Sequence, residues 1–251
     1  MENRLESLLL RKKLKSEDRW YPVLLDNYKE VIDKGALSNM DDKIRRNIGY
    51  SLQYLEFLDV QIKELVLSGV IKTMIYKNYV ITSVSIIESL LEEIIRFNKL
   101  QSKDYFEVQG GSIDSNEFKD LDGKLKKIRT QILVKLDKPK EIQMKFDDII
   151  KKIQSKNKKN KILNVNHDVI LALKRFRQLR NKVHLSNVEE GKTNWHEFSN
   201  KEYVTVKFLL RSILTAENLQ NSDLHQYIDF LELTKDEEEI IKNFNKENTH
   251  V

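Results

Sequence analysis

Two prolines and seven glycines are all that punctuate 251 residues. A chain built from short strands needs turn signals at intervals of roughly 8–12 residues, and Gly and Pro are the strongest of them. This sequence cannot supply enough, so long helices are the expected solution and the fold class is all-α. Apolar residues make up 40%, enough to build a core and to exclude wholesale disorder. Their spacing mixes threes and fours without sustained heptads, which predicts a packed multi-helix bundle and not a long coiled coil.

The periodicity places the helices. Residues 3–33 carry one or two, broken near Ser16 and Pro22. Ile44, Ile48, Leu52, Leu55, Leu58, Ile62 and Leu65 predict a helix over 41–68, ended by Gly69. Ile75, Tyr79, Thr82, Ile86, Leu90, Ile94 and Phe97 predict another over 72–100. Residues 102–123 hold Gly110-Gly111 with Ser, Asp and Asn clusters and read as a long loop. Two amphipathic helices follow, 124–136 and 140–155, divided by Pro139. Further helices are expected at 166–185, at 200–219 capped by Asn200, and over 222–246 as one or two segments, with 186–199 a loop.

Several chemistries are excluded outright. With no Cys there is no disulfide, no Cys-ligated metal and no thiol nucleophile. No phosphate-cradling glycine motif, HExxH or GxSxG is present, and the five His at 167, 184, 196, 225 and 250 have no metal-ligand spacing on one helix face. Neither a metal nor a cofactor is expected. Asp147-Asp148 and Glu92-Glu93 read as ordinary helix decoration. The charged first twenty residues lack the apolar run of a signal peptide, and no apolar stretch is long enough to span a bilayer. A cytoplasmic protein with no membrane partner is the expectation.

Basic residues outnumber acidic ones 44 to 39, giving a net charge of +5, so the distribution of charge matters more than its sum. Six lysines crowd eleven residues: Lys151, Lys152, Lys156, Lys158, Lys159 and Lys161. They read either as a track for the phosphate backbone of RNA or as a solvated helix end. Lys124, Lys126, Lys127 and Arg129 admit the same two readings. Trp195 and His196, in the loop after the 166–185 helix, either border a cleft or pack the loop.

The segment that stands out is LALKRFRQLRNKVHLS, residues 171–186. At about 100° per residue, Arg177, Arg180, Asn181 and His184 share about one quarter of a helix. Ile170 and Leu173 lie on the same sector upstream. That sector thus starts apolar, as a core-facing surface should, and continues as Arg, Arg, Asn and His. Polar groups facing inward need partners or a cleft that holds a ligand. Glu88, set among Ile86, Ile87, Leu90 and Leu91, is either a partner for Arg177 or Arg180 or a solvent-exposed boundary residue. The competing reading makes the Arg/His residues surface polar groups beside a stripe of Leu173, Phe176 and Val183.

The spacing Arg177-(six residues)-His184, with the string LRNKVHL, resembles the Arg-x(4–6)-His signature of HEPN domains. An early helix like YVITSVSIIESLLEEIIRF (79–97) before the Arg/His helix is similar to the arrangement in that family, and the resemblance covers about residues 70–220. Arg180-Asn181 is followed by only two residues before His184, one fewer than in the commonest form of the signature, so two registers are open, one through Arg177 and one through Arg180. The resemblance implies an N-terminal helical extension (1–70), a HEPN-like helical bundle (71–220) and C-terminal helices packed on it (221–251). It also implies a metal-independent endoribonuclease, a toxin or antiviral-defence effector, acting on RNA as a homodimer, with an antitoxin or defence-system protein as a further partner. In that scheme His184 is the acid/base, Arg177 the phosphate clamp, and Arg180 and Asn181 the supporting groups. The alternative is a non-catalytic HEPN-like module that binds nucleotide, RNA or protein.

Overall fold

The computed structural model describes residues 20–182, 194–219 and 222–248. It divides into a helical unit, formed by the chain up to Lys99 and from Lys145 onward, and a second unit over Leu100–Met144. Among the described residues the helical unit contains α1 (Leu25–Ile32), α2 (Asp42–Glu64), α3 (Gly69–Phe97), α4 (Phe146–Asn160), α5 (His167–Asn181), α6 (Asn200–Leu214) and α7 (Lys235–Asn248), with 3₁₀ turns between them.

The central element is α3, which packs against α2, α4, α5 and α6. Its sequence explains that position. Besides the expected stripe of Tyr79, Ile86, Leu90 and Ile94, it buries Tyr76, Val80, Val84, Ile87, Leu91 and Ile95, and a helix apolar on most of its circumference belongs in the middle of a bundle. The α2 stripe also packs inward, with Ile48, Leu52, Leu55, Leu58 and Ile62 buried. Burying each such side chain stabilises the fold by about 1.5–3 kcal/mol relative to exposure.

Two expected boundaries are corrected. Gly69 does not end α2, which stops at Glu64 where Leu65 turns extended; Gly69 is instead the first residue of α3. The cap of α6 is Ser199 and not Asn200. Its side chain accepts from the Lys201 amide, and Glu202 accepts from the Ser199 amide at 3.1 Å, so two orphan donors are satisfied at once.

A polar knot lies inside this unit. The Asp59 carboxylate accepts from the Tyr203 hydroxyl, sits 2.7 Å from Lys63 Nζ, and is 3.5 Å from the fully buried Lys207 ammonium. Lys207 also lies 3.3 Å from Glu237 at the start of α7. Burial presses the Lys207 ammonium below its ordinary pKa, and the two carboxylates only partly offset this.

The second unit overturns the all-α expectation. β1 (Lys103–Asp114) pairs antiparallel with β4 (Arg129–Glu141), and the short β2 (Phe118–Lys119) pairs with β3 (Leu125–Lys126). The protein is helix-dominated with a small antiparallel sheet. Residues 102–123 are therefore not a loop, 124–136 is not a helix, and the helix expected at 140–155 begins only at Phe146. The physical reason is pairing at a distance. Leu125, Ile128, Ile132, Leu133 and Leu136 fall at helical spacing, but Thr130, Ile132 and Val134 also alternate as β-branched residues suited to a pleated surface, and the partner strand decides. Gly110 and Gly123, at φ +79° and +76°, supply the left-handed backbone that an irregular hairpin and its end turn require. Pro139 lies inside β4 where the pairing register shifts between Asp104–Lys140 and Phe106–Lys135, an irregularity of the kind at which a strand accepts proline.

Candidate functional site

The 15 residues of α5 pack against α3, α4 and α6. Ile170 and Leu173 are 2% and 1% exposed, so the sector they share with the arginines does face the core in the first half of the helix. Toward its C-terminal end that sector carries Arg177 and Arg180, and each meets an acid from a neighbouring helix. Arg180 forms an ion pair with Glu88 of α3. Of the two readings for Glu88, the structure selects the partner, and it selects Arg180 over Arg177.

Arg177 turns to the other neighbour. Its guanidinium is 3.5 Å from Asp147 of α4, and its Nε is shielded from solvent with no hydrogen-bond partner among the described residues. Asp147 also holds Lys151 at 2.5 Å, one turn along α4. The Lys151 hydrogen bond, with the nearby Arg177 charge, keeps the Asp147 carboxyl below the usual carboxylate range, and Asp147 in turn raises Lys151. Asp147, which reads from sequence as ordinary helix decoration, is thus the partner of Arg177. The signal for it was an acid in the first turn of a helix placed four residues before a lysine.

Asn181 is the last residue of α5 and is exposed. Lys182 follows as the C-cap, donates its amide to the Leu179 carbonyl at 3.1 Å and pairs with Glu197. Among the described residues α5 ends at Asn181; residues 183–185 of the expected helix, and His184 with them, lie outside the described residues.

The lysine run does not make one rail. Most of it is helical, on α4. With Ile149 as reference, Lys152 and Lys156 fall about 60° and 20° to one side, whereas Lys151 and Asp147 fall about 160° away. Lys151 belongs to the Asp147–Arg177 group. Lys152 and Lys156 are half-buried beside the core stripe, and Lys161 is exposed past the helix end. The side chains of Lys158 and Lys159 lie outside the described set. In the other unit, Lys126 pairs with Asp120 and Asp122, while Lys127 and Arg129 pair with Asp114, so that basic cluster is largely neutralised by its own hairpin. His196 and the Glu197 that holds Lys182 line a recess of about 410 Å³ with Arg175, Gln178 and Glu202. It lies on the side of α5 opposite Arg177 and Arg180.

At this end of α5 the buried residues are Phe176 and Leu179, and the site consists of two guanidiniums on the flank of that stripe, 34% and 37% exposed, each tethered by a carboxylate from a different helix. Fixed guanidiniums of this kind can hold an anionic oxygen with directional donors. Comparison with family models, curated proteins and solved structures finds no match for this chain.

Proposed function

We propose that the protein is a metal-independent endoribonuclease of the HEPN type, a toxin or antiviral-defence effector in which the end of α5 carries the chemistry. The observation that supports this reading is the placement of Arg177 and Arg180 side by side on the flank of the buried α5 stripe, in line with Ile170 and Leu173. Both side chains are partly open to solvent, and among the described residues Arg177 is held by one 3.5 Å contact with its Nε unused. In the proposed reaction the ribose 2′-oxygen attacks phosphorus, the bond to the 5′-oxygen breaks, and the products are a 2′,3′-cyclic phosphate and a 5′-hydroxyl. His184 moves the proton, since imidazole titrates near neutrality. Arg177 holds the phosphate and offsets the charge that builds on its oxygens, with Arg180 and Asn181 in support. The HEPN resemblance also makes the Arg/His face a homodimer contact and adds an antitoxin or defence-system partner.

The test is cleavage of mixed cellular RNA in EDTA. Wild type should cleave, and His184→Ala should lose about 10²–10⁴ in rate, the usual contribution of one positioned proton-transfer group, with little change in Tm. A variant as fast as wild type removes the reaction from this face. The second reading, a non-catalytic HEPN-like binding module, is favoured by the Arg180–Glu88 pair, because a guanidinium already held by a carboxylate serves structure without substrate. RNA or nucleotide binding with no cleavage by wild type would decide for it.

A further inference from the structure

The first turns of α3, the 3₁₀ turn Asn194–Glu197 and the start of α6 enclose a recess of about 290 Å³, close to the smallest ligand pockets in size. His196, which from sequence either borders a cleft or packs its loop, borders this one. The neighbouring recess that shares His196 is balanced in charge, with Arg175 held by Glu202 and Lys182 by Glu197. Here no acid is among the described residues that line the recess. Its walls include Tyr76 and Phe198, 6% and 2% exposed. Lys72 Nζ lies 5.9 Å from the centre of the Tyr76 ring and Lys77 Nζ 5.4 Å from that of Phe198, distances at which a ring face attracts an ammonium. Neither lysine has a carboxylate partner among the described residues, so positive charge gathers here with no acid to offset it.

We propose that this recess binds the phosphate group of a small ligand, either free phosphate or a phosphate monoester. Lys72 supplies the charge, and the His196 ring, the Thr73 hydroxyl and the Asn200 amide supply directed donors around it. The Asn200 end that faces the ligand is set by its neighbour: the nearly buried Tyr76 hydroxyl donates to Asn200 Oδ1 at 3.2 Å, which leaves the Asn200 NH₂ as the donor. A phosphate monoester brings three terminal oxygens to these donors, a carboxylate only two, and an ammonium is an ordinary partner of phosphate. The inference is independent of the ribonuclease reading. Glu88, which holds Arg180, lies twelve residues beyond Tyr76 on α3, about 18 Å of helix rise, so the two sites are separate.

The test is isothermal titration of the full-length protein at constant ionic strength, with inorganic phosphate, uridine 5′-monophosphate, uridine and acetate as probes. Phosphate should bind saturably, at millimolar Kd or tighter. Lys72→Gln and His196→Ala, each folded by circular dichroism, should weaken it about tenfold, as loss of one charge-assisted or well-directed hydrogen bond would. Lys43→Gln, an exposed lysine at the start of α2, should leave it unchanged. Tighter binding of uridine 5′-monophosphate than of phosphate makes the ligand an ester, and equal binding makes it free phosphate. Four results would overturn the proposal: no saturable binding of either phosphate probe up to about 10 mM, binding unchanged in both variants, uridine as tight as its monophosphate or acetate as tight as phosphate, or binding lost in Arg177→Gln and kept in Lys72→Gln, which would place the phosphate on α5.

Discussion

Glu88 reaches Arg180 from a helix turn whose other members, Ile86, Ile87, Leu90 and Leu91, are all buried. The two side chains are 23% and 37% exposed, so solvent screens part of the attraction and the pair stabilises by only about 1 kcal/mol. Arg180→Ala should lower the unfolding free energy measured in urea by about that amount, Glu88→Gln by less because its amide still fits, and the double variant should fall short of the sum. Additive losses would show that the two do not couple. If the ribonuclease reading is correct, Arg180→Ala should also slow cleavage while Glu88→Gln keeps it. The knot around Asp59 is a stronger case, because it is sealed. Asp59 is 2% exposed and holds Tyr203, Lys63 and Lys207. Asp59→Ala leaves the buried Lys207 ammonium with Glu237 alone and strips the Tyr203 hydroxyl of its acceptor. The expected loss is about 3–5 kcal/mol, read from denaturant unfolding; a loss under about 1 kcal/mol would mean that Lys207 is neutral in the folded protein.

At the scale of elements, the α6 start offers a clean check. Ser199→Ala removes one arm of the reciprocal cap with Glu202 and should cost about 1 kcal/mol, whereas Asn200→Ala, at the position sequence reasoning favoured, should cost less. The difference between those two residues shows where the sequence was legible and where it was not. Stripes such as Leu52, Leu55 and Leu58, or Tyr79, Ile86 and Leu90, announce their helices because burial on one face dictates residue type at every turn. Caps are decided by one residue's backbone angles, which composition does not encode. The hairpin was missed for a different reason. Its strands are joined through pairings such as Phe106 with Lys135, and no local window contains both partners. Only the alternation Thr130, Ile132, Val134 and the Tyr105-Phe106 pair hinted at it, against a helical spacing in the same residues. At the candidate site, Arg177, Arg180 and Glu88 were legible because charges inside an apolar pattern stand out. Asp147 was not, because an acid at a helix start is ordinary until the neighbouring helix sets an arginine against it.

For the whole molecule, alkaline pH should act as a denaturant through three tyrosines. Tyr28 donates its hydroxyl to Glu56 at 2.8 Å, and Tyr203 donates to Asp59. Tyr79 is fully buried, and its hydroxyl has no hydrogen-bond partner among the described residues. Burial is the main cause that raises all three above the ordinary tyrosine pKa of 10.0, with Glu56 adding to it at Tyr28 and Asp59 at Tyr79 and Tyr203. The sign follows from proton counting. Below about pH 10 both folded and unfolded chains keep these protons, and the tyrosines impose no pH dependence. Above it the unfolded chain releases them and the folded one does not, so the folded state holds up to three more protons and loses stability as pH rises. Each proton is worth about 1.4 kcal/mol per pH unit, giving a combined slope of about 4 kcal/mol per unit. Lys207 acts in the opposite direction over a lower window. Its folded pKa is depressed below 10.5, so the unfolded chain holds its proton longer and stability rises slightly until that value is passed. Unfolding free energies should therefore be level or rise gently toward pH 10 and then fall steeply. With a total of about 5–15 kcal/mol to lose, the chain should unfold cooperatively within roughly one to four units above pH 10, with ionisation of these three tyrosines appearing together with the loss of helical circular dichroism. Tyr203→Phe should remove roughly a third of the slope. Ionisation of all the tyrosines near pH 10 while the helical signal persists would show that these three hydroxyls are not sealed in the core.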